Sequence, residues 1–223
     1  MSRVLPILFN TDTEMVRAIL DGRKTCTRRI CKDANECTVP DMEFYNADKR
    51  TYAVHNFADK AHTEQLSTAE RTCPICPEDI LYVRETVYQK VGHYLDVDGE
   101  TKAVWCNEFK YAATDEKPET GWNYSWVKRP SIHMPKEAVR IWLKVTDVRV
   151  ERLQDITIEG IRKEGLEPRF NVKDKFSDGI ARGRFLELWN NTIKKSDLDH
   201  YGWDANPYVF VIEFERCEKP EGV

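Results

Sequence analysis

Apolar residues recur at two spacings along this chain. Met15, Val16, Ile19 and Leu20 fall on one face of a short helix from Thr13 to Asp21, with Thr11 and Glu14 at capping-box spacing and Gly22 placed to close it in a left-handed cap. Strand patterns take over further on. Ile80 to Tyr88 follows the Pro77-Glu78-Asp79 turn, and Pro207 to Phe214 is a nearly continuous apolar strand. Val139 to Leu153 holds two alternating runs, Ile141/Leu143/Val145 and Val148/Val150, that are out of phase across Asp147, so a bulge is expected there. Asp155 to Glu164 reads as a short helix ended by Gly165, and Arg184 to Ile193 as another. Between these elements, Thr38 to Thr72 and Lys90 to Lys128 are polar with scattered aromatics and read as insertions or long loops around the β core. Strands mixed with short helices, without βαβ alternation, predict an α+β fold with one strongly curved, mainly antiparallel sheet.

Composition narrows the picture. With 223 residues and 41% hydrophobic content the chain can bury a real core, as one domain over 1–217 with insertions at about 38–72 and 90–128 and a tail at 218–223. The short apolar run Val4 to Phe9 contains Pro6 and does not resemble a signal peptide, and no stretch reaches membrane-spanning length, so a cytoplasmic protein is expected. A formal net charge of -4 argues against a broad nucleic-acid-coating surface and confines any such contact to a local basic region.

The densest chemistry is in Gly22 to Arg29, where Lys24 and Thr27 lie three residues apart among Arg23, Arg28 and Arg29 just after the first helix. Mutual repulsion favours a neutral Lys24 able to act as a base, whereas the plainer reading is a solvated basic run at a helix C-terminus. Seven cysteines in such a chain point to reduced thiols or a metal. Cys73-Pro-Ile-Cys76 has chelating spacing, and Cys31 with Cys37 would complete a structural zinc set, the alternative being four unligated thiols. No other cofactor is called for.

Gly22-x-Lys24-x-x-Thr27-x-Arg29 after a short helix resembles the signature of ASCH domains, β-barrels related to the PUA fold and often proposed to bind RNA. That signature commonly has glutamate where this chain has Thr27; the small bacterial acetylcytidine amidohydrolases of the superfamily have threonine. The resemblance implies a PUA-like barrel and a catalytic set of Lys24, Thr27 and Glu164, the last in the helix that follows Leu153-x-Asp155-Ile156-Thr157. For amide hydrolysis Lys24 would serve as base, Thr27 as nucleophile and Glu164 as proton donor or orienter of the leaving amine, with direct attack by water the alternative. Taken by itself, Glu164 is equally a surface residue paired with Arg162 or Lys163. Trp126, Arg129-Pro-Ser-Ile-His133-Met-Pro135 and Trp203-Asp-Ala-Asn206-Pro207 are similar to longer ASCH proteins of phages and prophages.

Arg29, Arg84, Glu85, His133 and Asn206 are the candidate substrate contacts. Arg84 and Glu85 alternate on a strand, so only one can face a pocket; His133 lies in a proline-stiffened loop; Asn206 is held extended by Pro207. The expected activity is hydrolysis of an acylated, modified nucleoside. Alternatives are a non-catalytic reader of RNA or a modified nucleotide, and a phage-encoded factor that binds a host protein. No particular partner protein is identifiable.

Overall fold

The computed structural model describes residues 2–9, 13–34, 37–166 and 175–222. In chain order the elements are β1 (Val4–Leu8), α1 (Thr13–Leu20), β2 (Cys26–Ile30), β3 (Thr38–Asn46), β4 (Thr51–Phe57), β5 (Gln65–Thr72), β6 (Ile80–Arg84), β7 (Val87–Leu95), β8 (Thr101–Tyr111), β9 (Tyr124–Arg129), β10 (Trp142–Arg152), α2 (Ile158–Lys163), α3 (Lys175–Thr192), α4 (Leu198–Tyr201) and β11 (Tyr208–Cys217). The fold is α+β and mostly sheet. Five strands form a central sheet in the order β1-β6-β10-β11-β2, antiparallel except for the β1–β6 pair.

That sheet is curled. Its edge strands do not pair with each other among the described residues, so no hydrogen-bonded barrel closes. They nevertheless approach at one end, where Arg29 Nη2 of β2 donates to the Leu8 carbonyl of β1 at 2.7 Å. The bulge expected near Asp147 is present, with the β10–β11 register shifting between Val145 and Asp147. It brings Val145 and Val148, from the two opposite phases, into one core.

The first helix also follows the sequence. Met15, Val16, Ala18 and Ile19 are buried, and Gly22 at φ +75° permits a Schellman closure in which its own N–H reaches the Ile19 carbonyl and the Arg23 N–H the Ala18 carbonyl. Thr11 of the expected capping box lies outside the described residues.

Three expectations need correction. The strand from Ile80 to Tyr88 is two strands: Glu85 and Thr86 break it, and the Glu85 carboxylate is drawn into a bidentate pair with Arg140 at 2.8 and 2.9 Å. The insertions are not loops. Each is a three-stranded antiparallel sheet, β3-β4-β5 and β8-β7-β9. Their strands read as polar because one face of each is solvated; β5 is exposed along nearly its whole length. Finally, α3 begins about nine residues before Arg184, at Lys175. Gly179 and Gly183 hide this extent, yet both face open space, while Ala181, Phe185 and Trp189 at i, i+4 and i+8 anchor the helix in the core. Among the described residues no helix is long and apolar enough to cross a membrane.

Asp79 holds the start of β6 to two other segments. It is fully buried and accepts from Arg3 N and Arg3 Nη2 at 3.0 Å, from Arg50 Nη2 at 2.6 Å and from Cys76 N at 2.9 Å. Burial raises its pKa, but the hydrogen bonds from Arg3 and Cys76 outweigh this and hold it below the usual carboxylate value. A depressed folded-state pKa contributes stability that is fully present above the unfolded value of about 3.9 and is lost as pH falls through the folded one. Urea midpoints from pH 7 to pH 2.5 should therefore drop more steeply for the native protein than for Asp79→Asn; parallel curves would remove Asp79 as a source of the acid lability.

Candidate functional site

The seam where β1 and β2 approach opens into a cavity of about 400 Å³, within the usual range for small-molecule sites. Lys24, Thr27, Arg28, Arg29 and Glu164 line it, as do Phe9, Phe185 and Trp189. The turn after α1 delivers Lys24 to this place and the end of α2 delivers Glu164. Lys24 and Glu164 form a one-residue antiparallel bridge, reinforced by the Thr25 N–H to the Lys163 carbonyl at 2.8 Å. Gly165 at φ +88° makes the approach possible, because a Cβ there would lie 2.8 Å from Ala18 Cβ and 3.0 Å from Lys24 Cβ. Helix α2 is itself started by Thr157, whose hydroxyl accepts the Gly160 N–H at 3.0 Å.

The electrostatics centre on Glu164. One carboxylate oxygen accepts from Lys24 Nζ at 2.6 Å and the other from Arg28 Nη1 at 3.0 Å, and Lys24 also donates to the Glu164 carbonyl at 3.1 Å. Lys24, Arg28 and Glu164 are all buried. The plainer surface reading of Glu164 is thus corrected, since Arg162 pairs with Glu159 and Lys163 with Glu213. The repulsion expected around Lys24 is compensated as well. Arg28 is shared between Glu164 and Glu151, to which it donates through Nε at 3.0 Å and Nη2 at 2.7 Å. Desolvation works against the Arg28 cation, but these two carboxylates prevail and hold its pKa above the ordinary arginine value. Arg29 has less compensation, and desolvation lowers its pKa despite the Glu164 charge. Burial, reinforced by the Glu164 charge, pushes the Cys26 thiol up to about 12, so this cysteine is a poor nucleophile.

Thr27 and Arg28 are neighbours on β2 and leave it on opposite faces, so the cavity wraps the free edge of this strand. Among the described residues the hydrogen bonds of the Lys24 ammonium go to Glu164, not to Thr27.

Of the other candidates, Arg29 lines the cavity with its guanidinium 5.6 Å from the Phe9 ring centre. Arg84 supports the wall from outside by donating to the Ile132 and Met134 carbonyls, next to the cavity-lining Ser131 and Ile132. Glu85 is committed to Arg140, and His133 is exposed at the end of the same turn, outside the lining. Asn206 is not extended: it adopts φ +46°, and its side-chain oxygen accepts the Gln154 N–H at 2.8 Å. That bond and the Asn206 N–H to the Trp203 carbonyl override the preference imposed by Pro207.

The four thiols proposed for zinc do not converge. Cys31 Sγ lies 3.6 Å from the Tyr52 hydroxyl, Cys73 Sγ donates to the Ile75 carbonyl at 2.8 Å, and Cys76 Sγ faces the Cys73 carbonyl at 3.6 Å. Cys37 stands in the turn before β3, its carbonyl accepting the Phe57 N–H at 2.9 Å. Among the described residues no three His, Cys, Asp or Glu side chains form a metal-binding group.

Sequence reasoning missed Glu151 and Phe185. Glu151 carried a signal, since Asp147, Arg149 and Glu151 alternate along β10 as one charged strand face. Phe185 carried none, because core packing and cavity lining use the same apolar positions of α3.

No protein-family model matches the chain, and no curated protein does so. A solved structure described as the ASCH domain from Lactobacillus crispatus JV V101 aligns over 96% of this chain and 79% of its own at 9% identity, with a TM-score of 0.37, a likeness too slight to carry an argument.

Proposed function

We propose that this protein is an ASCH-type, PUA-like amidohydrolase that removes an acyl group from a modified nucleoside such as acetylcytidine. The observation that carries the reading is the buried Lys24–Glu164 contact of 2.6 Å in a cavity that Thr27 also lines, across 140 residues of sequence between the paired groups. Passing one proton along that contact leaves an amine in the cavity and a carboxylic acid opposite it. The amine accepts the Thr27 hydroxyl proton as Oγ bonds to the acyl carbon; the acid protonates the departing exocyclic amine as the C–N bond breaks; water then hydrolyses the threonyl ester. Phe9, Phe185 and Trp189 supply aromatic faces for a base. Because Arg28 and Arg29 are committed to Glu151, Glu164 and the Leu8 carbonyl, the lining suits an uncharged nucleoside moiety better than a phosphate.

One observation favours a second reading, a non-catalytic reader of the modified base: the Lys24 ammonium is spent on Glu164 and not on Thr27. Turnover and equilibrium binding of acetylcytidine by the native protein, Thr27→Ala and Lys24→Arg separate the two. The hydrolase reading expects kcat to fall by a factor of about 10² or more in both variants. Turnover at the native rate by both would falsify the assignment. Binding without turnover in every form would establish the reader.

A further inference from the structure

We infer that the outer face of the β8-β7-β9 sheet is a binding surface for single-stranded nucleic acid. The register makes one rung of three side chains, because Tyr88 on the central strand stands opposite Lys110 on one side and Lys128 on the other. The next rungs on the same face place Lys90 opposite Trp126 and Gly92 opposite Tyr124. Lys90 Nζ lies 5.0 Å from the Tyr124 ring centre and 6.0 Å from that of Trp126, and Lys110 Nζ lies 5.7 Å from Trp126.

Such a face is unusual for a solvated sheet. On the opposite side the central strand's Val87, Gln89 and Val91 are buried, with Val87 packed on Met134 and Ala138, so that side carries the sheet's packing even though the flanking Trp105 and Val127 stay partly exposed. The outer side should then be plainly polar, but it presents rings between cations. The acidic groups of the sheet are already paired: Glu108 neutralises Lys90 on this face at 2.7 Å, leaving the face's net positive charge to Lys110 and Lys128, while Asp96 and Glu100 pair with Lys102 near the tip. Lys110 and Lys128 are exposed, and among the described residues neither makes an ion pair. Two ammonium groups outside any ion pair, on either side of an aromatic ring, match a chain whose phosphates flank each base. Lysine–ring contacts are weak and the lysine stems flexible, so bases can take the ring faces while the ammonium groups move to the backbone.

Tyr94, 53% exposed two residues beyond Gly92 on the same face, extends the platform. At its other end β9 runs through Pro130 into Ser131 and Ile132, which line the cavity. A strand lying on the sheet is therefore led toward the cavity wall, and its substrate is a base within a polynucleotide, not a free nucleoside. This last step rests on the function proposed above; binding by the sheet does not.

Fluorescence anisotropy with a labelled single strand of about 12 nucleotides, as RNA and as DNA of the same sequence, tests the inference. The Lys110→Glu/Lys128→Glu double variant, checked for its fold by circular dichroism, should bind about tenfold or more weakly, with the slope of log K against log salt smaller by about 1.4. It should bind free acetylcytidine as the native protein does. Because the strand used carries no acyl group, a failure of the cavity reading leaves this result untouched. A preference for RNA would add a contact to the 2′-hydroxyl, and equal binding would make the surface one for backbone and base faces alone; both support the inference. Unchanged affinity in the double variant overturns it. So does absence of strand binding by the native protein at about 50 mM salt, which would leave the face to a protein partner.

Discussion

Glu164→Ala is expected to cost about 3–5 kcal/mol of stability, among the largest effects of any single change in this chain. Among the described residues the substitution leaves Lys24, 3% exposed, with the backbone carbonyl of residue 164 as the one hydrogen-bond partner of its ammonium, beside the Phe9 ring at 5.5 Å, whereas Arg28 keeps Glu151. The cost therefore arises mainly from an uncompensated buried lysine. Adding Lys24→Met should recover a good part of it, because an apolar side chain of similar length removes the charge and keeps the packing. Urea denaturation of the two single variants and the double variant measures this directly. If the double variant is less stable than Glu164→Ala alone, the ion pair is not the source of the loss.

Gly165→Ala should be the second severe change, at about 2–5 kcal/mol. Holding an L-residue at φ +88° contributes about 1–2 kcal/mol, and forcing a methyl group to 2.8 Å from Ala18 Cβ and 3.0 Å from Lys24 Cβ adds about 1–3 kcal/mol of overpacking. Gly22 provides the control. It has a similar φ of +75° but open space around its missing Cβ, so Gly22→Ala should show the backbone part alone, about 1–2 kcal/mol. Equal losses at the two positions would show that close approach to Lys24 contributes nothing. Gly165→Ala should also weaken ligand binding in the cavity, since Lys24 is one of the two groups that the methyl would displace.

The readable parts of the sequence were those with a local cause. The phase slip across Asp147 gave the bulge, the apolar spacing of α1 gave its buried face, Gly22 gave the left-handed cap and Gly165 the end of α2. The two inserted sheets were obscured because a strand with one solvated face and mixed aromatics lacks a clean alternation, and β5 has hardly any buried residue at all. Helix α3 was truncated by glycines whose low propensity is overridden by Phe185 and Trp189. Lys24, Thr27 and Glu164 were reached through resemblance, and their common cavity depends on contacts that no local pattern encodes. Asp79 and Glu151 were passed over for a related reason: the importance of each lies in its arginines, 76 and 29 residues away for Asp79 and 123 for Glu151.

The order of strands in the central sheet also bears on how the cavity is assembled. Each hairpin of the outer sheets closes over a short stretch of chain, whereas β1 pairs with β6 across 76 residues and the Lys24–Glu164 contact spans 140. The entropy of closing such loops must be met before those contacts give anything back, so the cavity belongs to the slow, high-contact-order part of folding. The inserted sheets can form early as local units. A nascent chain then possesses its outer face well before the pocket beside it exists.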